Sequence, residues 1–134
     1  MPWPTRNKYG AQKTTYDGIQ YDSKFEASIA QELDLLKKAG HILDWERQFK
    51  CECIPYDAAG NPIPSLKVSH KVDFRVHLLD GTFMLLEAKG VETTDYRRRR
   101  KWVERVWMQE NPGHVYRVAK ANDWKWLSDL GGGK

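Results

Sequence analysis

Val72-Asp73-Phe74-Arg75-Val76 and Thr82-Phe83-Met84-Leu85-Leu86-Glu87-Ala88-Lys89, joined across Asp80-Gly81, form the stretch on which the reading of this chain turns. The first segment alternates apolar and polar residues with period two, as a half-buried strand does. Asp-Gly is a strong turn signal, and the second segment returns as an apolar strand ending in two charges. Asp73, Glu87 and Lys89 therefore fall in the pattern Asp-x13-Glu-x-Lys, laid over a predicted β-hairpin.

The register of that hairpin decides whether the carboxylates meet, because directly opposed residues of an antiparallel pair share a face. A two-residue Asp80-Gly81 loop would oppose Asp73 to Ala88 and place the two carboxylates on opposite faces. A three-residue loop, Leu79-Asp80-Gly81, with Gly81 left-handed in a bulge, opposes Asp73 to Glu87 instead. The same register sets Val72/Ala88, Phe74/Leu86 and Val76/Met84 on one unbroken apolar face. The hydrophobic pattern thus selects the three-residue loop.

Two carboxylates at the end of an apolar hairpin repel each other and lose hydration. A divalent cation offsets both costs, and Lys89, two residues beyond Glu87, points to the same face. Two acids, a cation and a lysine suit hydrolysis of a phosphodiester. The triplet acid-x-Lys alone carries no weight. It occurs also at Asp22-Ser23-Lys24 and Asp123-Trp124-Lys125, and only Glu87-Ala88-Lys89 closes a hairpin strand opposite another aspartate.

A chain of 134 residues is one domain by length, and its net charge is +4 with the basic residues unevenly placed. No apolar run approaches a membrane span, and nothing resembles a signal peptide. Cys51 and Cys53 sit two apart on a predicted strand, unsuited to a mutual disulfide and lacking a second pair for zinc. They read as buried thiols of a reducing cytoplasm.

Residues 1–14, with Lys8 and Lys13, read as a basic arm, residues 15–130 as the single domain, and 131–134 as a flexible tail. Residues 16–21 suggest a small hairpin or turn. Residues 23–39 predict a helix with Phe25, Ile29, Leu33 and Leu36 at helical spacing and Gly40 as the stop. Strands are expected at 45–54 and 114–119, and a second helix at 94–110, opened by Thr94-Asp95. The order is α-β-β-β-α-β, a mixed central sheet flanked by helices. Glu26 admits two readings. It completes a capping box with Ser23, yet it also lies in the buried stripe with Ile29, Ala30 and Leu33, where a carboxylate needs a partner.

The helix bearing Glu26, the hairpin with Asp73 and Glu87-Ala88-Lys89, and the following helix and strand resemble the PD-(D/E)xK nuclease superfamily and its restriction-endonuclease-like core. A glutamate on the first helix is similar to archaeal-type Holliday junction resolvases. Lys8-Tyr9, Tyr16-Asp17-Gly18, Tyr21-Asp22-Ser23-Lys24-Phe25-Glu26, Gly40-His41-Ile42, Gln48-Phe49, Val72-Asp73-Phe74 and Glu87-Ala88-Lys89-Gly90 resemble a phage and prophage family of that superfamily. The Pro usual before the aspartate is Val72 here. The resemblance implies Mg²⁺, with Mn²⁺ substituting, a homodimer, and cleavage of branched DNA, in the cytoplasm of a bacterial host if phage-encoded. It makes Asp73 and Glu87 metal ligands, the Ala88 carbonyl a third and Glu26 an outer or direct ligand. Lys89 becomes the group that orients the attacking water and stabilises developing charge.

Arg97-Arg98-Arg99-Arg100-Lys101 is the densest charge block, placed where the helix dipole disfavours cations. These residues are expected to reach a phosphate backbone, with Lys8, Lys13 and Lys24 extending the track. Gln48 is a weaker candidate for a hydrogen bond near the site, and Trp102 and Trp107 read as packing residues. The expected function is therefore a metal-dependent endonuclease, a Holliday junction resolvase first. Its alternatives are a nuclease of other branched or single-stranded DNA, or a non-catalytic DNA-binding module. The four residues Glu26, Asp73, Glu87 and Lys89 argue against the last, since a decayed site loses at least one.

Overall fold

The computed structural model describes residues 13–131. Lys8 and most of the predicted basic arm, like residues 132–134, lie outside the described residues. The arm ends earlier than expected, because Thr14 already belongs to a strand. β1 (Thr14–Tyr16) and β2 (Ile19–Tyr21) pair as a hairpin. Its turn is built from Asp17 and Gly18, both at positive φ, as a tight two-residue hairpin turn requires. This hairpin precedes the predicted α-β-β-β-α-β series.

α1 (Lys24–Lys38) follows at once. Ser23 caps it, its hydroxyl accepting the Glu26 amide at 3.0 Å. Ile29, Ala30, Leu33 and Leu36 are buried along one stripe, with Ile29, Leu33 and Leu36 each contributing roughly 1.5–3 kcal/mol of transfer free energy. At the far end the Gly40 amide bonds to the Lys37 carbonyl and the His41 amide to the Leu36 carbonyl. That double bond pattern needs a left-handed residue, and Gly40 supplies φ 78°.

A four-stranded sheet of order β3-β4-β5-β6 forms the centre. β3 (Asp44–Cys53) and β4 (Val68–His77) are antiparallel, as are β4 and β5 (Phe83–Ala88). β6 (His114–Ala119) runs parallel to β5 and is reached through α2 (Thr94–Trp102). α2 starts at Thr94 as predicted, capped by Thr93, whose hydroxyl accepts the Tyr96 amide at 3.1 Å. The predicted helix is not uniform. Residues Val103–Trp107 widen into a π-helical turn, and a last α-turn follows at Met108–Glu110. No Pro or Gly marks that widening in the sequence.

One helix covers each face of the sheet. The α1 stripe packs on Phe74, Val76, Met84 and Leu86, with Leu127 from a 3₁₀ turn closing the end. Val103 and Trp107 pack on Cys51, Val72, Leu85 and Tyr116, and Trp102 leans on the same cluster, so both tryptophans are packing residues. Cys51 is buried and Cys53 half-buried, both as free thiols. Among the described residues no helix is long and apolar enough to cross a membrane.

The β4–β5 loop is the expected three-residue one. The Leu78 amide bonds to the Thr82 carbonyl at 2.9 Å, and Gly81 stands at φ 89°. Phe74 opposes Leu86 and Val76 opposes Met84.

The unbroken apolar face does not extend to Val72, which packs in the second cluster, while Phe74 and Val76 pack in the first. β3 changes sides at the same level: Trp45 joins the α1 side, Phe49 and Cys51 the other. Arg47 pairs with Phe74 and Phe49 with Val72, but no pair forms between Gln48 and Asp73. Gln48 is left-handed at φ 56°. A left-handed residue inside a strand turns the ribbon over, so both strands exchange faces at this rung. Gln48 is thus a half-buried hinge of β3.

Gly131 (φ 60°) lies so close to the His41 carbonyl that a Cβ there would collide with it.

Candidate active site

The β4–β5 pairing stops at Phe74 and Leu86, and side chains replace the backbone ladder beyond it. The Glu87 carboxylate accepts the Asp73 amide at 2.9 Å through Oε1. The Asp73 carboxylate accepts the Ala88 amide at 2.8 Å through Oδ2. The two acids therefore face each other as the register predicted, each bound to the opposite strand.

Their surroundings differ. Asp73, Ala88 and Lys89 line an open cleft of about 620 Å³ together with Glu26, Asp22, Ser23 and Thr93. Glu87 lies behind it, 2 % exposed. Its Oε2 meets His70 Nε2 at 3.0 Å and accepts the Tyr116 hydroxyl at 3.3 Å. The Tyr116 hydroxyl lies 2.9 Å from that of Tyr96. Lys89 Nζ rests 4.4 Å above the centre of the Tyr96 ring.

Glu26 projects from the first turn of α1 into the same cleft. Half of the capping box forms: Ser23 holds the Glu26 amide, but Oε2 of Glu26 is buried with no hydrogen-bond partner. A carboxylate that returned to the Ser23 amide would satisfy itself, so capping does not account for this side chain. Burial, then Asp22, pushes its carboxyl up to about 7, against the lowering effect of Arg47 and Lys89. Asp73 is raised as well, by burial first and then by the charges of Glu87 and Glu26.

Three mutually repelling acids with one orphaned oxygen make a site short of positive charge. Among the described residues no three such side chains already converge on one point. The donor set nevertheless fits a hard cation. Among the described residues no donor is bonded to Asp73 Oδ1, Glu87 Oε1 accepts only the Asp73 amide, Ala88 adds backbone at the cleft wall, and Glu26 Oε2 has no hydrogen-bond partner.

Of the other predicted residues, Arg97, Arg98, Arg99 and Lys101 are exposed, and Arg100 is half-buried. Arg99 pairs with Asp95 at 3.1 Å and Arg100 with Glu104 at 3.5 Å, with the Arg100 guanidinium also 5.0 Å from the Tyr116 ring centre. α2 rises from the cleft rim, since its cap Thr93 lines the cleft. Lys24 is exposed in the first turn of α1, and Lys13 is exposed ahead of β1.

Arg47, His70, Tyr96 and Tyr116 were not singled out from sequence. Arg47 lies over the Tyr21 ring at 4.8 Å, donates to the Gln20 carbonyl, and leaves its buried Nε unpartnered. Its signal was an arginine in phase with Trp45 and Phe49. His70 is an odd number of residues from Asp73, so constant alternation assigns it to the wrong face.

A family model described as a protein of unknown function, DUF1064, matches residues 6–123, a span that takes in Glu26, Asp73, Glu87 and Lys89. No curated protein and no solved structure matches the chain. By the extent of that match, the chain belongs to the DUF1064 family.

Proposed function

We propose that this chain is a divalent-cation-dependent endonuclease with a restriction-endonuclease-like core, and that its substrate is branched DNA, foremost the four-way Holliday junction. The observation that carries the reading is the reciprocal Asp73–Glu87 bracket at the unzipped hairpin end, with Glu26 and Lys89 on the same cleft.

Asp73 and Glu87, with the Ala88 backbone and Glu26, would hold the ion. Mg²⁺, or Mn²⁺ in its place, supplies positive charge to the scissile phosphate and acidifies the attacking water. Lys89, beside that position, orients the water and stabilises the charge that develops on phosphorus oxygens. Arg97, Arg98 and Lys101 are exposed along α2 and bind the backbone of the incoming strand. A four-way junction is near two-fold symmetric, so a C2 homodimer presents one site to each of two strands.

The test is incubation of the protein with an end-labelled four-way junction, a Y-fork, a linear duplex and a single strand, with Mg²⁺ and with EDTA. Paired nicks in opposing strands of the junction, only with Mg²⁺, are expected. A failure to cut any of the four in Mg²⁺ or Mn²⁺ contradicts the reading. Preference for the fork or single strand would replace the junction as substrate.

A further inference from the structure

Behind the cleft, buried polar side chains from four elements form one continuous chain that passes through Glu87 and ends beneath Lys89. Glu87 comes from β5, His70 from β4, Tyr116 from β6 and Tyr96 from α2. Their exposures are 2 %, 8 %, 9 % and 5 %. The proton positions follow from the donors available. A carboxylate only accepts, so His70 carries its hydrogen on Nε2 toward Glu87. The Tyr116 hydroxyl gives its only proton to Glu87, so the Tyr96 hydroxyl must donate to Tyr116. The Tyr96 ring then carries the ammonium of Lys89.

This accounting fixes what Glu87 has left to offer. Oε2 is claimed by two donors and Oε1 by the Asp73 amide. One lone pair remains, on the oxygen nearer Asp73. A carboxylate free to rotate would present either oxygen or both. Apolar residues at 70, 96 and 116 would have packed this interior without any desolvated hydroxyls or imidazole. Two donors, His70 and Tyr116, instead converge on one carboxylate, and Tyr96 supports the second of them.

We propose that His70 and Tyr116 are positioning residues that lock Glu87 as a single-oxygen donor and thereby set the cation affinity of the Asp73–Glu87 pair. Tyr96 continues the same brace to Lys89. The inference rests on the metal-dependent reading above. Groups that orient a metal-binding carboxylate typically cost 10–100-fold in metal affinity when removed.

The test is calorimetric titration of the DNA-free protein with Mn²⁺, using wild type, Asp73→Asn, Tyr116→Phe, His70→Leu and His70→Gln. Wild type is expected to bind Mn²⁺ at a site that Asp73→Asn abolishes. Tyr116→Phe and His70→Leu should bind roughly 10–100-fold more weakly. His70→Gln, which still donates to Glu87, should recover most of the affinity. If Tyr116→Phe leaves Tyr96 unable to fold against it, the double variant Tyr96→Phe/Tyr116→Phe removes both hydroxyls together and gives the same reading. Wild-type affinity in Tyr116→Phe and His70→Leu, with Asp73→Asn still inactive in binding, overturns the brace and leaves the metal site standing. A wild-type protein with no Asp73-dependent Mn²⁺ site overturns both.

Discussion

Asp73 and Glu87 each hold the other's strand: the Glu87 carboxylate accepts the Asp73 amide at 2.9 Å, and Asp73 accepts the amide next to Glu87 at 2.8 Å. The pairing is what remains of a β-ladder after the ribbon turns over at Gln48. A strand end that closed with backbone bonds would bury both amides and leave the acids no place beside each other. The same twist that interrupts the sheet therefore builds the site.

Glu26 makes the stability of the cation-free protein depend on pH. Its carboxyl lies at about 7 in the fold against 4.5 for an ordinary glutamate. A raised folded value means the folded state binds the proton more tightly. The resulting stabilisation is complete below about pH 4.5 and is lost as pH rises through about 7. Asp73, raised too, acts in the same direction. Thermal melts in EDTA should show a melting temperature that falls from pH 5 to pH 8, and Glu26→Gln should make that fall shallower. The variant keeps the Ser23 cap, which uses the backbone amide, so it should melt no lower than wild type at pH 8. An unchanged pH slope in Glu26→Gln would return this residue to a structural role.

Gln48 sits at φ 56° in the middle of β3. A side chain in the left-handed region costs on the order of 1–3 kcal/mol that glycine does not incur. Gln48→Gly should raise the free energy of unfolding by about 1 kcal/mol, read from denaturant midpoints at constant slope, while Gln48→Val should lower it. A destabilised glycine variant would mean that the side chain itself holds the hinge.

Arg97 and Arg98 should supply affinity without sequence discrimination, because a phosphate carries the same charge beside every base. Neither makes an ion pair among the described residues, whereas Arg99 and Arg100 do. Replacing Arg97 and Arg98 by Gln should weaken binding to junctions of unrelated sequence by similar factors. The plot of log K against log salt should flatten by about two, near 0.9 for each lost contact. An unchanged slope would show that these side chains displace no counterions and that the DNA track lies elsewhere.

The hairpin was legible because two independent signals agreed on it: the Asp80-Gly81 turn and the apolar positions Phe74, Val76, Met84 and Leu86. α1 was legible for the same reason, with Ser23 at one end and Gly40 at the other. The turnover at Gln48 was not, since alternation read along a strand assumes that its faces stay constant. Val72 was misassigned by that assumption. Tyr96 and Tyr116 carried no signal at all, because an aromatic on a helix or strand reads as packing until its hydroxyl is seen to have a partner. The π-helical turn at Val103–Trp107 likewise leaves no mark in residue type.

The most direct test of the account is single-turnover cleavage of a four-way junction in Mg²⁺ by wild type and Asp73→Asn, prepared alike. Asparagine keeps the acceptor for the Ala88 amide, so the hairpin end should stay intact and the variant should melt no lower than wild type. Removing one negative charge from the cleft should leave junction binding equal or tighter. Cleavage should nevertheless fall by about 10³-fold or more, because the ion loses its principal oxygen. An Asp73→Asn protein that cuts the junction at close to the wild-type rate would contradict the assignment of this site and the function built on it.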